Sequence, residues 1–317
     1  MKTTTTTKLG FTLAGVLALT ITSAHADTFG SGADTFIIDF VDIGNAGNTD
    51  DLGAGGGIYS TPYGGVSYGY RMGTYEISQD AITKATASGL GSVVAGSWGA
   101  SQPAADMTWF EAAAFVNFLN TSTGHQAAYQ LTGVTALTPW ASVDAWQAGG
   151  ENLYRHKDAY YFLPSEDEWY KAAYHQNDGV SANYWDYATG SNSIPTAVAR
   201  GTGAGTAVYD GAAGSPAAVN NDGGLSAYGT MGQNGNVWEW DESAFDGISE
   251  FRAVSGGGWL NTESDLRSSM TQPLVAPSFS NFVVGFRVAS VPEPTSALLL
   301  LGSGAMLLLR RRRASAL

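Results

Sequence analysis

Glycine content limits what this chain can fold into more than any other feature. The 317 residues include 41 glycines, which cluster in stretches such as residues 53–57 and 201–214. Glycine weakens helices and strands because it loses the most backbone freedom on folding, so such clusters are typical of turns and long loops. The chain has no evident internal repeat of fixed period, which argues against solenoids and propellers. We therefore predict a domain rich in loops.

The amino-terminal segment has the order of features found in a secretory signal. Two lysines within the first eight residues precede an apolar run over residues 9–21, and Ala24 and Ala26 are the small residues that signal peptidase requires. We predict a cleaved signal peptide over residues 1–26, with the mature chain starting near Asp27. A buried core helix is the alternative interpretation of the same apolar run.

The carboxyl-terminal segment, residues 291–317, carries three ordered elements. They are an apolar run over residues 297–309, preceded by Pro292, Glu293 and Pro294 and followed by Arg310, Arg311, Arg312 and Arg313. A bilayer crossing needs about 20 apolar residues, so the run is a marginal membrane span, and the arginines are expected to stay cytoplasmic. The segment resembles the PEP-CTERM sorting tail, which implies recognition by an exosortase in a Gram-negative bacterium after transient membrane anchoring. An ordinary membrane anchor is the alternative.

Between these ends the chain is strongly acidic. Six of the 15 basic residues but only one of the 28 acidic residues lie in the terminal segments, which leaves 27 acids against 9 bases over residues 27–290, a formal charge of −18. Such a charge repels phosphate backbones and favours solubility and divalent cations, so nucleic acid is not expected as a partner. Cysteine is absent, so stability must come from the core. The length fits one large domain or two small ones, and no charged or proline-rich linker divides it.

Regular elements are few and short. A helix is predicted over residues 78–84. Two more are predicted over residues 109–120 and from residue 166 to about 175, because each follows a Thr or Ser with Glu three residues later, the capping-box pattern. Aromatic and β-branched runs between glycines are strand candidates, at residues 36–41, 68–75, 236–240 and 282–288. Together these signals predict an α+β domain.

Six short phrases occur in a particular order along the chain. They are Tyr75-Glu76-Ile77-Ser78, Met107-Thr108-Trp109-Phe110-Glu111-Ala112, Leu163-Pro164-Ser165-Glu166-Asp167-Glu168-Trp169, Gly235-Asn236-Val237-Trp238-Glu239-Trp240, Gly256-Gly257-Gly258-Trp259 and Gly285-Phe286-Arg287-Val288. The ordered set resembles the formylglycine-generating enzyme (sulfatase-modifying factor) family over nearly all of residues 27–290. The resemblance implies a C-type-lectin-like fold, which agrees with the loop-rich α+β prediction.

Catalytic members of this family bind copper through two cysteines that follow the glycine-rich turn, and they oxidise a substrate cysteine. By spacing, Asn261 and Leu266 stand at those two positions. Copper(I) prefers soft thiolates, so these residues argue against copper and against formylglycine generation. Our leading hypothesis is a non-catalytic exported protein that binds a polysaccharide or a surface protein. The alternatives are an enzyme that uses non-cysteine residues and an inert coat component.

The resemblance also implies a calcium ion beside the Gly-Asn-Val-Trp-Glu-Trp phrase. Glu239 would supply a carboxylate, and Gly235 and Val237 would supply main-chain carbonyls, the hard oxygen ligands that calcium takes. The family's upstream Asp or Asn ligand is replaced by Gly232, so one side-chain ligand is missing. The alternative is that Glu239 pairs with a basic group such as Arg287 or caps main-chain amides.

The remaining candidate sites have weaker support. A second calcium site of the family would begin at Asn183 and Tyr184, with its other ligands not placed. The acids at residues 166–168 are explained by the helix dipole and the capping box rather than by glycoside hydrolysis. The three histidines of the mature chain match no helical ligand spacing. We expect Trp238 and Trp240 to fill the core rather than to stack on a ligand.

Overall fold

The computed structural model describes residues 25–53, 62–91, 93, 96, 98–244, 251–270 and 273–292. The α-helices in these ranges are α1 (Gln79–Ala85), α2 (Trp109–Ser122) and α3 (Glu166–Tyr174), with short 3-10 helices at Gly32–Asp34 and Glu263–Leu266 and a π-helical turn at Thr86–Leu90. The strands are β1 (His25–Phe29), β2 (Phe36–Ile43), β3 (Tyr70–Gly73), β4 (Gln130–Thr132), β5 (Ala136–Thr138), β6 (Ala145–Trp146), β7 (Asn152–His156), β8 (Tyr161–Phe162), β9 (Thr196–Ala197), β10 (Thr206–Ala207), β11 (Trp238–Ala244), β12 (Arg252–Ser255), β13 (Leu274–Val275), β14 (Val284–Gly285) and β15 (Ala289–Ser290). In the described ranges, no helix has both the length and the apolar character that a bilayer crossing requires.

The three predicted helices are confirmed, and two of them begin with a capping box. At the start of α2, Thr108 Oγ1 accepts from the Glu111 amide at 3.2 Å and Glu111 Oε2 accepts from the Thr108 amide at 2.9 Å. Ser165 and Glu168 make the same pair of bonds at the start of α3, at 3.2 and 2.6 Å. Each box satisfies two amides that the first helical turn leaves without a partner.

Two sheets carry most of the pairing in the described residues. The larger sheet is antiparallel and has the strand order β1-β2-β3-β15-β8, so it joins both ends of the domain. The second has the order β13-β12-β11-β14, with β11 and β14 parallel. The predicted strands form in altered lengths, and β11 begins only at Trp238. Gly235 and Asn236 have φ of 110° and 58°, and this left-handed conformation interrupts the extended backbone.

The largest hydrophobic core contains α2 together with residues from both sheets. Trp109 and Trp240 are completely buried there. Their indole N–H groups donate to the main-chain oxygens of Asp241 at 3.0 Å and Met107 at 2.9 Å. Trp238 is also buried, so the prediction that Trp238 and Trp240 fill the core is confirmed. In a chain without disulfides, these paired aromatic side chains supply cohesion.

One buried arginine holds the two ends of the predicted domain. Arg71 on β3 donates from Nη2 to Asp27 Oδ2 at 2.7 Å and from Nε to Ser290 Oγ at 2.8 Å. Strand β1 begins at His25, two residues before the predicted mature start. The signal segment before His25, and the sorting tail from Glu293 with its apolar run and four arginines, lie outside the described residues.

Candidate functional site

The glycine-rich turn at residues 256–259 follows β12 and lies against α3. Gly256 and Gly257 have φ of 96° and 77°, which glycine adopts without strain. A Cβ on Gly256 would lie 3.1 Å from Trp169 Cζ2, and one on Gly257 would lie 3.0 Å from Leu266 Cδ1. The turn is therefore packed tightly against side chains on both sides.

Asn261, the first position at which the resemblance places a copper-binding cysteine, holds this turn together. Its Oδ1 accepts from Trp238 Nε1 at 2.9 Å and from the Gly258 amide at 3.0 Å. Its main-chain oxygen accepts from the Asp210 amide at 2.8 Å. The side chain is thus a structural acceptor that joins the turn to β11.

Leu266, the second of these positions, is a core residue. Its side chain is completely buried and packs with Tyr187 and Tyr209. The neighbouring cavity has a volume of about 10 Å³, which is at the lower limit for a single water molecule. An amide oxygen that is already engaged and a buried isobutyl group offer no thiolate, so these residues do not fit copper(I).

Glu239, the predicted calcium carboxylate, forms a buried ion pair. Arg287 Nη2 donates to Glu239 Oε1 at 2.6 Å, and Arg287 Nε donates to Oε2 at 2.5 Å. Trp169 Nε1 donates to the same Oε2 at 2.8 Å. Burial by itself lowers the pKa of Arg287, but Glu239, together with the nearby Glu76 and Asp222, raises that pKa overall. The ion pair with Arg287 is one of the alternatives that the sequence left open.

The other predicted calcium ligands lie in two settings. Gly235 and Val237 are buried beside Glu239, and the Gly235 amide donates to Gly256 O at 2.9 Å. Asn183 is exposed, and its Nδ2 donates to Asp178 Oδ2 at 2.6 Å. Over the part of the chain that the structure describes, no group of three or more His, Asp or Glu side chains is arranged to hold a metal. Calcium at these residues stays a prediction.

Two buried carboxyl groups meet next to this ion pair, and sequence reasoning did not connect them. Asn236 Nδ2 donates to both oxygens of Glu76, at 3.0 and 3.1 Å, and to Asp222 Oδ2 at 3.0 Å. Burial raises the pKa of Asp222 to about 7 and the pKa of Glu76 well above its ordinary value. Because two adjacent buried carboxylates repel each other, the pair retains a proton at acidic pH.

The same pair of carboxyl groups explains why a glycine stands at position 232. A Cβ at Gly232 would lie 2.5 Å from Asp222 Oδ2 and 2.9 Å from Glu76 Cδ. The two carboxyl groups therefore fill the space into which a larger residue at position 232 would project. Glu76 lies in one of the quoted phrases, but Asp222 stands in a loop without a motif, and no sequence signal pointed to it.

Glu168, at the start of α3, is paired with another buried arginine, Arg155. Arg155 Nη1 and Nη2 donate to the two oxygens of Glu168 at 2.9 and 2.8 Å, and Nη2 also donates to Glu242 at 2.7 Å. Burial by itself raises the pKa of Glu168, but Arg155 lowers it overall. The capping role predicted for Glu168 is confirmed, and the ion pair is an addition to it. An open cavity of about 230 Å³ borders Arg155.

Two family models match the chain. The model of the family described as "Sulfatase-modifying factor enzyme 1-like domain" matches residues 65–291. The model of the PEP-CTERM protein-sorting motif matches residues 290–313. A comparison with curated proteins finds no match.

Solved structures share the fold at low sequence identity. Variable protein 1 of Treponema denticola is 20% identical, with 84% of this chain and 99% of that chain covered and a TM-score of 0.56. CarF is 21% identical, with coverage of 81% and 99% and a TM-score of 0.56. PvdO from Pseudomonas aeruginosa is 16% identical, with coverage of 84% and 98% and a TM-score of 0.53. These neighbours confirm the C-type-lectin-like α+β fold of the formylglycine-generating enzyme type.

Proposed function

The chain belongs to the sulfatase-modifying factor enzyme 1-like family, and from this premise we propose a non-catalytic binding function. Its PEP-CTERM motif implies export to the cell envelope or surface of a Gram-negative bacterium and processing by an exosortase. In this proposal the signal peptide covers residues 1–26, the domain residues 27–290 and the sorting tail residues 291–317. The mature chain is a cell-surface or extracellular-matrix protein, transiently anchored by its carboxyl-terminal helix.

The non-catalytic assignment rests on one observation, that Asn261 and Leu266 have structural roles. Asn261 Oδ1 joins Trp238 to Gly258, and Leu266 is completely buried beside a cavity of about 10 Å³. The family's oxidation chemistry needs two thiolates on copper at these positions, and the chain contains no cysteine. Both positions here stabilise the fold instead.

Copper binding and oxygen uptake test this assignment. We expect the full-length chain, solubilised in a mild detergent and given copper(I) and a cysteine-containing sulfatase peptide, to consume no more oxygen than a peptide-free blank. Mass spectrometry is expected to find the peptide cysteine unchanged. A catalytic family member assayed in parallel establishes sensitivity. Stoichiometric copper together with turnover would favour the alternative, an enzyme that uses other residues.

The binding assignment is supported by export, by the long loops on a packed core and by the acidic surface. Loops held on a rigid scaffold are where proteins most often carry recognition residues. We propose a polysaccharide or a surface protein of the same cell as the partner. The test is a pull-down with the full-length chain against the host's exopolysaccharide and its surface-protein extract, with the heat-denatured chain as the control. Absence of binding to both would leave the inert coat component as the better description.

A further inference from the structure

We call the glycine-rich turn at residues 256–259, Leu266, Trp169 and the Glu239–Arg287 pair the closed region, because each packs against or bonds to the next. The cavity beside Arg155 is distinct from it. It is bordered by the β6–β7 hairpin, the loop before β3 and the start of α3. Its volume of about 230 Å³ lies somewhat below the roughly 300 Å³ at which pockets for drug-sized ligands begin. A cavity of this size fits one six-membered ring.

The floor of the cavity is polar but cannot attract an anion. Arg155 is buried, and its three nitrogens all donate to the carboxylates of Glu168 and Glu242 at distances between 2.7 and 3.1 Å. Asn152 Nδ2 donates to Glu242 Oε2 at 2.6 Å. One guanidinium with two carboxylates leaves a net negative charge, so the arginine is not free to bind a carboxylate, sulfate or phosphate of a ligand.

Two aromatic side chains form rigid walls. The rings of Tyr68 and Trp146 meet edge to face with their centres 5.7 Å apart, and both side chains are half-buried. Tyr68 Oη donates to Glu168 Oε1 at 2.6 Å, and Trp146 Nε1 donates to Ala148 O at 2.9 Å. Because these bonds fix the rings before a ligand arrives, little conformational entropy is lost on binding.

The rim adds two more acids. Asp167 Oδ1 accepts from the Gly64 amide at 2.9 Å, and burial raises the pKa of Asp167 to about 6. Glu151 also lines the cavity and is exposed on the hairpin between β6 and β7, where its Oε1 accepts from Ser142 Oγ and its Oε2 is the second acceptor. At neutral pH these carboxylates repel acidic ligands and offer acceptors to hydroxyl and ammonium groups.

We propose that this cavity is a sugar-binding subsite for one pyranose residue of a glycan, and that it prefers a residue bearing a protonated amine to one bearing a carboxylate. The C–H faces of a pyranose carry partial positive charge and suit the negative faces of aromatic rings. Hydroxyl and ammonium groups match the acceptors of Asp167 and Glu151. The inference rests on the proposed binding function and deepens it by naming the site and the ligand class.

Titration calorimetry with three oligosaccharides, matched in linkage and length, tests the preference. The full-length chain in mild detergent is titrated with oligomers of glucosamine, glucose and glucuronate. We expect the glucosamine oligomer to bind about fivefold more tightly than the glucose oligomer, the effect of one partly exposed charge pair. The glucuronate oligomer is expected to bind most weakly.

Two sets of variants locate the binding site. The double variant Asp167→Asn and Glu151→Gln is expected to reduce the affinity for the glucosamine oligomer to that for the glucose oligomer. The control is the double variant Asp158→Asn and Glu263→Gln, which makes the same charge change at exposed acids outside the cavity. We expect the control to keep the preference for glucosamine.

Trp146→Ala removes one wall, and we expect it to weaken binding of the glucosamine and glucose oligomers about fivefold, in line with the worth of an aromatic contact. Trp98→Ala is the matched control because Trp98 is also half-buried but lies outside the cavity lining. Circular dichroism checks that each variant is folded.

The outcomes separate this inference from the proposed function. Tighter binding of glucuronate, or unchanged binding by the folded cavity variants, would overturn the cavity assignment and leave the binding function to another surface. Failure of the unaltered chain to bind any of the three oligomers would also overturn it. If the chain binds none of the oligomers but still binds the host's exopolysaccharide, the proposed function survives. If it binds neither, the polysaccharide part of the proposed function is lost as well.

Discussion

The closed region around Leu266 and the open cavity beside Arg155 use buried charge in different ways. In the closed region, Arg287 is paired with Glu239 and the adjacent free volume is about 10 Å³. At the cavity, Arg155 is paired with Glu168 and Glu242, yet about 230 Å³ stays open next to it. Asn261 and Leu266, which stand where the resemblance places the copper-binding cysteines, therefore serve packing in this chain, and the cavity beside Arg155 lies apart from them.

The largest effect is expected from breaking the ion pair of the closed region. Arg287→Ala leaves the Glu239 carboxylate buried without its partner, which should lower the free energy of unfolding by about 3–5 kcal/mol. Urea denaturation monitored by tryptophan fluorescence measures the loss. Arg200→Ala, at an exposed arginine, should change it by less than about 0.5 kcal/mol. Equal effects of the two substitutions would mean that the ion pair does not hold this region.

A core truncation should come next. Leu266→Ala removes a completely buried side chain from a region with almost no free volume, and we expect a loss of about 3 kcal/mol in unfolding free energy. Leu260→Ala is the control, because Leu260 is 52% exposed in the same segment, and it should cost less than about 0.5 kcal/mol. If Leu266→Ala costs as little stability as its control, the surroundings of Leu266 are less tightly packed than its burial indicates.

The Glu76–Asp222 pair should make stability depend on pH. The pKa of Asp222 is raised from 3.8 to about 7, so between these values the folded chain holds more protons than the unfolded chain. The free energy of unfolding is therefore highest below about pH 3.8 with respect to this pair. It falls as the pH rises towards 7, by about 1 kcal/mol per pH unit.

Urea denaturation of the unaltered chain and of Asp222→Asn across this pH range measures the difference, with Asp210→Asn as an exposed control. The Asp222→Asn chain should lose less stability as pH rises, because the amide cannot ionise. Parallel profiles for all three chains would contradict the raised pKa of Asp222.

Calcium should have the smallest effect. While Glu239 is paired with Arg287, added calcium chloride should change the midpoint of thermal unfolding by less than about 1 °C relative to a sample with chelator. The reason is that a ligand raises stability only if it binds the folded chain. Magnesium chloride at equal ionic strength controls for screening. A rise of several degrees with calcium alone would instead support the ligand set predicted at Glu239, Gly235, Val237 and Asn183.

Local patterns predicted local structure well. The capping boxes at Thr108 and Ser165 located the starts of α2 and α3, because their bonds join residues three positions apart. The strands were less predictable: Asn236 stands in a strand-like run but has φ of 58°, since its side chain is held by two carboxyl groups distant in sequence. Pairing with residues far along the chain overrides a short strand preference.

By itself, the sequence determined the loop-rich α+β class, the helix starts, the sorting motif and the lack of any thiolate, because each of these depends on composition or on near neighbours. Only the tertiary structure decided which carboxylates meet which arginines. Arg155 and Glu242 are 87 positions apart, and Asn236 reaches Glu76 across 160 positions. A buried charge must be paired whatever the sequence distance, and the partner is chosen by how the whole chain packs.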